Sequence, residues 1–156
     1  MATEVLQVAA KALIIDGDGR LLLVRESRRA ANTQSGLYGI VGGRLEPGES
    51  FFDALHREVK EETGLDVTAC RLVYGEEHPE PYNHQYIFLC EVAPHGDVAI
   101  QDASEEALMN RININTHQPL WVETSSFAGL PFLTIALQTA IVTALKKGFP
   151  QEPVRL

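Results

Sequence analysis

The segment Gly43–Leu65, with the sequence GRLEPGESFFDALHREVKEETGL, constrains this chain more than any other because it marks both ends of a helix. Ser50 suits the N-cap position, and Asp53 places a negative charge in the first turn, where the helix dipole favours it. Gly64 suits the C-terminal end. The sequence therefore predicts a helix that begins at Ser50 and stops at Gly64.

The acidic residues of this helix are poorly placed for folding alone. At about 100° per residue, Glu58, Glu61 and Glu62 crowd an arc of about 100° beside the apolar stripe. That stripe consists of Phe51, Phe52, Leu55 and Val59. Like charges three and four residues apart repel, and the last turn of a helix prefers cations. A divalent cation would relieve the repulsion, because Mg²⁺ and Mn²⁺ take hard oxygen ligands. Taken alone, the helix also fits a solvated acidic face with Arg57 and Lys60 as casual neighbours.

Strand-like segments surround the helix. We predict strands over Val8–Asp16, Arg20–Glu26, Leu37–Gly43, Val67–Glu76, His84–Val92 and Pro119–Val122. The first two should form a hairpin, because Gly17, Asp18 and Gly19 between them are typical turn residues. The stretch 93–118 is polar and irregular, with a short helical piece near Ser104–Met109.

A second helix is predicted near the end of the chain, from Pro131 to Lys147, with Gly148 at its C-terminal cap. Its apolar stripe consists of Leu133, Leu137, Ile141, Ala144 and Leu145. The order of strands, helix, strands and helix predicts an α/β sandwich with a mixed sheet between helices. A chain of 156 residues suits one domain, with a core over about residues 8–148.

Composition limits the classes of function. The net charge of −8 argues against binding nucleic acid through bulk electrostatics, which requires a basic surface. No apolar run reaches the length of a membrane span, and residues 1–7 lack the pattern of a secretory signal. Cys70 and Cys90 lie in apolar segments and are predicted to be small buried thiols. These features favour a cytoplasmic protein with no membrane partner.

The segment also carries a family pattern. Gly43, five residues, Glu49, seven residues and then the run Arg57–Leu65 match GX5EX7REUXEEXGU at every defined position, with U an aliphatic residue. This pattern is the Nudix box, and the surrounding order of elements resembles the whole Nudix domain. The resemblance implies a Nudix α/β/α sandwich and hydrolysis of a nucleoside diphosphate linked to another moiety. It also implies Mg²⁺ or Mn²⁺ as the cofactor.

The resemblance assigns roles to individual residues. Glu58 and Glu62 match the principal metal ligands of the family, and Glu61 matches a further carboxylate that binds metal or acts as a base through water. Arg57 matches the residue that orients these carboxylates, and Glu49 matches one that supports the site. The carbonyl of Gly42 resembles a backbone metal ligand. A metal held there would neutralise the diphosphate and lower the pKa of bound water.

Two departures from the family lie outside the box. Val41 stands where many members have proline, and Tyr38 stands where many have tryptophan. The resemblance implies that both leave the chemistry of the box intact and that any effect is on the wall of the pocket.

Substrate recognition is less constrained by the sequence. Arg25 and Arg44 are candidates for contacts with phosphate, and Tyr82 is a candidate for stacking on a base. Each also fits an ordinary surface residue. Glu105 and Glu106 lie where some Nudix members supply an extra catalytic carboxylate, and surface acid is the alternative.

The sequence leaves three candidate functions. The first is a metal-dependent diphosphohydrolase acting on a small nucleotide, an ADP-ribose-like compound or a nucleotide sugar. The second is a Nudix-shaped domain that binds a nucleotide without turnover, which the intact REUXEE core disfavours. The third is RNA cap removal, which the acidic balance disfavours. The sequence does not reveal the oligomeric state, and a homodimer rests on analogy with the family alone.

Overall fold

The computed structural model describes residues 7–28, 36–77, 84–99 and 115–156. In chain order its elements are β1 (Val8–Ile14), β2 (Arg20–Arg28), β3 (Gly36–Gly39), β4 (Val41–Arg44), α1 (Phe51–Thr63), β5 (Val67–Glu77), β6 (His84–Val92), β7 (Asn115–Glu123), α2 (Thr124–Phe127), α3 (Ile135–Lys147) and β8 (Val154–Arg155). The sequence patterns predict neither of the short elements α2 and β8. No described helix is long and apolar enough to cross a membrane.

The strands form two sheets. The larger is mixed and has the order β4-β1-β6-β5-β8, with β1 and β6 parallel and β5 and β8 parallel. The smaller has the order β3-β2-β7, and both of its pairings are antiparallel. The α/β class and the mixed sheet are therefore as predicted, whereas the second sheet was not expected.

Buried side chains form two cores. The α1-side core consists of Ala10, Ala12, Ile14, Leu22, Val24, Val41, Ala54, Leu55, Val59, Leu65, Val67 and Cys90. The α3-side core consists of Leu13, Leu21, Leu23, Ile40, Val73, Tyr74, Ile87, Phe127, Phe132, Leu137 and Ile141. Alternate residues of β1 and β2 enter different cores, so both strands are buried on both faces.

The predicted hairpin of the first two strands is wrong. The turn forms, and the Asp16 carboxylate accepts hydrogen bonds from the backbone N–H groups of Asp18 and Arg20 at 3.0 and 2.7 Å. The strands then enter different sheets, and a bridge between Ile15 and Leu21 links their ends. The reason is that β1 pairs with β4 and β6 along its two edges, while β2 pairs with β3 and β7.

The predicted strand Leu37–Gly43 is two strands in different sheets. The chain breaks at Ile40, which is buried in the α3-side core. Before the break, the N–H of Tyr38 donates to the carbonyl of Pro131 at 2.8 Å. After it, β4 pairs with β1. Long-range partners on both sides of Ile40 therefore divide a segment that looks continuous in sequence.

The terminal helix begins later than predicted. Phe132 bridges to Tyr38, and the N–H of Leu133 donates to the Tyr38 carbonyl at 3.0 Å, so this part of the chain is extended. Leu133 is consequently outside the helix and 44% exposed, although it was predicted in the apolar stripe. The stripe residues Leu137, Ile141 and Ala144 are buried as predicted.

Two further predictions can be compared with the fold. The strand predicted over Pro119–Val122 is longer than expected, because β7 already begins at Asn115 within the stretch expected to be irregular. Cys90 is buried and Cys70 is half-buried, and both are free thiols. Burial raises the pKa of Cys90 to about 12. The helical piece predicted near Ser104–Met109 lies outside the described residues.

Candidate active site

Helix α1 is bounded as its sequence predicts. The Ser50 hydroxyl accepts a hydrogen bond from the N–H of Asp53 at 3.1 Å, and the Asp53 carboxylate accepts from the N–H of Ser50 at 3.4 Å. At the other end, Gly64 adopts φ 80° and its N–H donates to the carbonyl of Lys60. The helix packs on β4, β1 and β5 through its buried apolar face. Its rotation about its own axis is thereby determined.

This rotation turns two carboxylates inward. Glu58 and Glu62 are each 8% exposed, which is rare for glutamate because burial disfavours its charge. The N–H of Gly42 donates to Glu62 Oε2 at 2.8 Å. A Cβ atom at Gly43 would lie 2.6 Å from Glu58 Oε1. The glycine pair of β4 therefore lies directly against both carboxylates and leaves room for them.

Arg57 contacts four carboxylates of the cluster, including that of Glu58. Its Nε and Nη2 donate to the two oxygens of Glu49 at 2.9 Å each, and its Nη1 donates to Glu58 Oε1 at 2.9 Å. Nη1 also lies 3.8 Å from Glu46 and 3.6 Å from Glu61. One guanidinium therefore lies against four carboxylates, and the cluster is strongly negative.

These contacts shift the pKa values of Glu49 and Arg57 in the directions expected for an ion pair. The hydrogen bonds from Arg57, followed by the backbone N–H of Glu46, lower the pKa of Glu49 to about 2. The pKa of Arg57 is raised, chiefly by its hydrogen bonds to Glu49. Arg57 and Glu49 are consequently a fixed ion pair at neutral pH, and Arg57 holds Glu58 from one side.

The donor set fits a divalent metal ion by its chemistry. Glu58 and Glu62 lie one helical turn apart, are both buried, and offer the hard oxygens that Mg²⁺ and Mn²⁺ prefer. Among the described residues, no three His, Cys, Asp or Glu side chains converge as a ready-made ligand set. Arg57 holds the Glu58 carboxylate, and the Gly42 amide holds that of Glu62. Binding would therefore exchange these hydrogen bonds for metal contacts.

A family model described as the NUDIX domain matches residues 5–126 of the chain. The chain belongs to the NUDIX family. The predicted membership is confirmed, and the Nudix box corresponds to the end of β4, the following turn and helix α1.

Curated Nudix relatives cover parts of the chain. CTP pyrophosphohydrolase of Escherichia coli K12 is 46% identical over 57 residues, which are 36% of this chain and 41% of the relative. An NAD-capped RNA hydrolase of Chromobacterium violaceum is 26% identical over 125 residues, which are 80% of this chain and 42% of the relative. ADP-ribose pyrophosphatase of Methanocaldococcus jannaschii is 34% identical over 98 residues, which are 60% and 56% of the two chains. The first two matches therefore span less than half of the relatives' length.

Solved structures show the same Nudix fold over nearly the whole chain. The solution structure of the E. coli ORF135 protein superposes with a TM-score of 0.64 at 24% identity and covers 94% of this chain and 95% of that one. The crystal structure of MutT protein from Methanosarcina mazei Go1 gives a TM-score of 0.66 at 20% identity, with 94% and 97% covered. At these identities the likeness concerns the fold alone.

The structure brings together the six residues that the resemblance to the Nudix family assigned to the metal site and its supports. They are Gly42, Glu49, Arg57, Glu58, Glu61 and Glu62. Arg44 joins them through its backbone, because its carbonyl accepts a hydrogen bond from Arg57 Nη2 at 3.2 Å. Its side chain is exposed. Arg25 lies in the smaller sheet, with its guanidinium over Gly36. Tyr82, Glu105 and Glu106 lie outside the described residues.

Two residues of the site were not singled out from the sequence. Glu46 lies near Arg57, and its N–H donates to Glu49 Oε1 at 2.7 Å. Lys11 donates from Nζ to the carbonyl of Gly42 at 3.1 Å. The sequence did contain a signal for Lys11, because a charged residue interrupts the apolar run Val8–Ile15.

Proposed function

We propose that the protein hydrolyses a diphosphate bond in a nucleoside-diphosphate-linked substrate, with Mg²⁺ or Mn²⁺ as the cofactor. The observation that carries this proposal is the burial of Glu58 and Glu62 side by side against the glycine pair of β4. Burial of two like charges is costly without a compensating cation. Arg57 is already shared among four carboxylates, so a divalent ion is the natural partner for this site.

Each box residue has a task in this proposal. Glu58 and Glu62 hold the ion, and the Gly42 carbonyl is a candidate third ligand. A bound Mg²⁺ or Mn²⁺ supplies charge neutralisation for the diphosphate and lowers the pKa of a coordinated water. Arg57 fixes the direction of the Glu58 carboxylate, and Glu49 in turn fixes Arg57. The side chain of Glu61 is 38% exposed, so it can reach a water and accept a proton.

The substrate class follows from the relatives rather than from the geometry. Their names include CTP, ADP-ribose and NAD-capped RNA, all of which contain a nucleoside diphosphate unit. The net charge of −8 disfavours the RNA substrate, because a polyanion is repelled by an acidic surface. We therefore favour a small substrate such as a free nucleotide, an ADP-ribose-like compound or a nucleotide sugar.

The test is a panel of CTP, ADP-ribose, a nucleotide sugar and NAD-capped RNA, each incubated with Mg²⁺ and with Mn²⁺. We expect hydrolysis of at least one small substrate, and a loss of about 100-fold or more in kcat for Glu62→Gln. Glu152→Gln, which changes an exposed glutamate in the same way, should leave the rate unchanged.

Two results would contradict the proposal. The first is tight nucleotide binding without any product, which would favour a binding domain. The second is full activity of the Glu62→Gln variant, which would show that the buried pair of Glu58 and Glu62 is not required for the reaction.

A further inference from the structure

Lys11 is a charged residue inside a buried strand. It shares a face of β1 with Ala9 and Leu13, both fully buried, and its own side chain is partly buried. Burying an ammonium is costly unless polar atoms receive it. Its Nζ donates to the carbonyl of Gly42 at 3.1 Å, on the neighbouring strand β4. The charge therefore lies at the same glycine as the Glu62 carboxylate.

Gly42 connects the cation and the carboxylates. Its N–H donates to Glu62 Oε2, its carbonyl accepts from Lys11, and the next residue, Gly43, lies against Glu58. A Cβ atom at Gly42 would lie 2.7 Å from the Cα and 3.0 Å from the Cδ of Lys11. The close approach of the two strands thus holds the aliphatic stem of Lys11 beside the carbonyl.

The Gly42 carbonyl oxygen has two lone pairs, but an ammonium and a divalent ion bound to it at close range would repel each other strongly. The stem of Lys11 is flexible, so its ammonium can move while the strand stays in place. We propose that Lys11 is a tethered cation that competes with the divalent metal ion for the Gly42 carbonyl. When the metal takes that oxygen, Lys11 turns to the phosphate groups of the substrate. This inference rests on the proposed function.

The arrangement has a consequence for the order of binding. Without substrate, the ammonium of Lys11 occupies the Gly42 carbonyl and weakens metal binding there. With substrate present, the negative phosphates attract both cations, and the competition is relieved. Lys11 would therefore couple metal binding to substrate binding, and it is a positioning and binding residue rather than a proton donor or acceptor.

The experiment measures Mn²⁺ binding to the substrate-free protein by electron paramagnetic resonance of the free ion, alongside KM and kcat. Lys11→Met keeps the stem and removes the charge. We expect Mn²⁺ to bind about fivefold more tightly to Lys11→Met, because a competing charge is gone. We also expect KM to rise about tenfold while kcat changes less, because a phosphate contact made in the ground state is lost.

Further variants separate charge from structure. Lys11→Arg keeps the charge and should bind Mn²⁺ within about twofold of the wild type. Lys11→Gln replaces the charge with a neutral donor to the Gly42 carbonyl. It should show the changes in Mn²⁺ affinity and KM that are expected for Lys11→Met, and it serves as the test if Lys11→Met does not fold. Lys147→Met, which removes an exposed lysine from α3, is the matched control and should change nothing.

The failures of the two proposals are distinguishable. A wild-type protein that binds Mn²⁺ and hydrolyses nucleotide, while Lys11→Met and Lys11→Gln bind Mn²⁺ equally or more weakly, overturns the role of Lys11 alone. An unchanged KM in both variants overturns the phosphate contact. A wild-type protein that neither binds Mn²⁺ nor hydrolyses any substrate overturns the proposed function, and the role of Lys11 with it.

Discussion

Arg57 is the residue on which the side chains of the site converge. Its two-pronged contact with Glu49 fixes the plane of the guanidinium, and the remaining nitrogen then holds Glu58. Lysine has the same charge but a single point of contact, so it cannot satisfy both carboxylates in fixed directions. The identity of this residue, and not just its charge, therefore fixes the directions of the Glu49 and Glu58 carboxylates.

We predict that Arg57→Lys lowers kcat by about 10- to 100-fold, since a loss of orientation worth about 1.4 kcal/mol costs tenfold in rate. KM should change less, because Arg57 acts through Glu58 rather than on the substrate. Steady-state kinetics on a hydrolysed nucleotide checks this. Arg155→Lys, at the exposed ion pair with Glu77, should retain full activity. Equal kcat for the Arg57→Lys variant and the wild type would show that Arg57 does not position Glu58.

The lowered pKa of Glu49 predicts a pH dependence of stability. Its pKa is about 2 in the folded protein against an ordinary 4.5. The resulting stabilisation is fully present above about pH 4.5 and is lost as the pH falls through about 2. For this partly exposed pair we expect Glu49→Gln to cost about 1 kcal/mol at neutral pH, with the difference shrinking in acid.

Urea unfolding of the wild type and the Glu49→Gln variant over a series of pH values measures this difference. Glu152→Gln is the control. The difference between its free energy of unfolding and that of the wild type should not shrink in acid. A Glu49→Gln offset that grows on acidification would have the wrong sign for a lowered pKa and would contradict the ion pair.

At the scale of elements, the site is the contact between α1 and β4. The buried face of α1 determines which way Glu58 and Glu62 point, and the glycine pair of β4 gives them space. The turn Glu46–Ser50 between the two elements then brings Glu49 back to Arg57. The box pattern thus describes one compact unit of strand, turn and helix.

Gly43→Ala tests the fit of these two elements. The added Cβ would lie 2.6 Å from Glu58 Oε1, so the carboxylate must move. We expect kcat to fall by at least about tenfold, and Mn²⁺ binding to weaken, because ligand geometry is lost. Gly17→Ala is a matched control, since a Cβ there meets nothing within 4 Å. Unchanged Mn²⁺ binding in the Gly43→Ala variant would show that Glu58 is not a ligand.

At the scale of the whole molecule, negative charge is the feature from which we predict that a divalent metal ion stabilises the fold. The chain carries a net charge of −8, and its site concentrates several carboxylates around one arginine. A ligand that binds the folded state alone raises stability in proportion to the logarithm of its concentration. A homodimer rests on analogy with the family alone, and the molar mass in solution is the test.

We predict that Mn²⁺ at about 100 times its dissociation constant stabilises the protein by about 2.7 kcal/mol. For a chain of this size, that raises Tm by about 5–10 °C. Differential scanning calorimetry measures the shift, and NaCl at equal ionic strength controls for general screening of the acidic surface. The shift should vanish in the double variant Glu58→Gln, Glu62→Gln. A shift that persists there would locate the binding elsewhere.

The sequence alone was enough to predict helix α1, its caps and the α/β class. The resemblance to the Nudix family named six residues that the structure brings together, and their roles stay predictions. The helix and its caps were predictable because they depend on residue spacing along one segment and on local capping chemistry. The pairing of the strands and the position of Lys11 depend on tertiary contacts. The predicted hairpin was wrong, and the predicted strand Leu37–Gly43 was split, because the pairing of strands depends on distant partners that local patterns do not contain. The position of Lys11 against Gly42 was decided in the same way, because it depends on the register between β1 and β4.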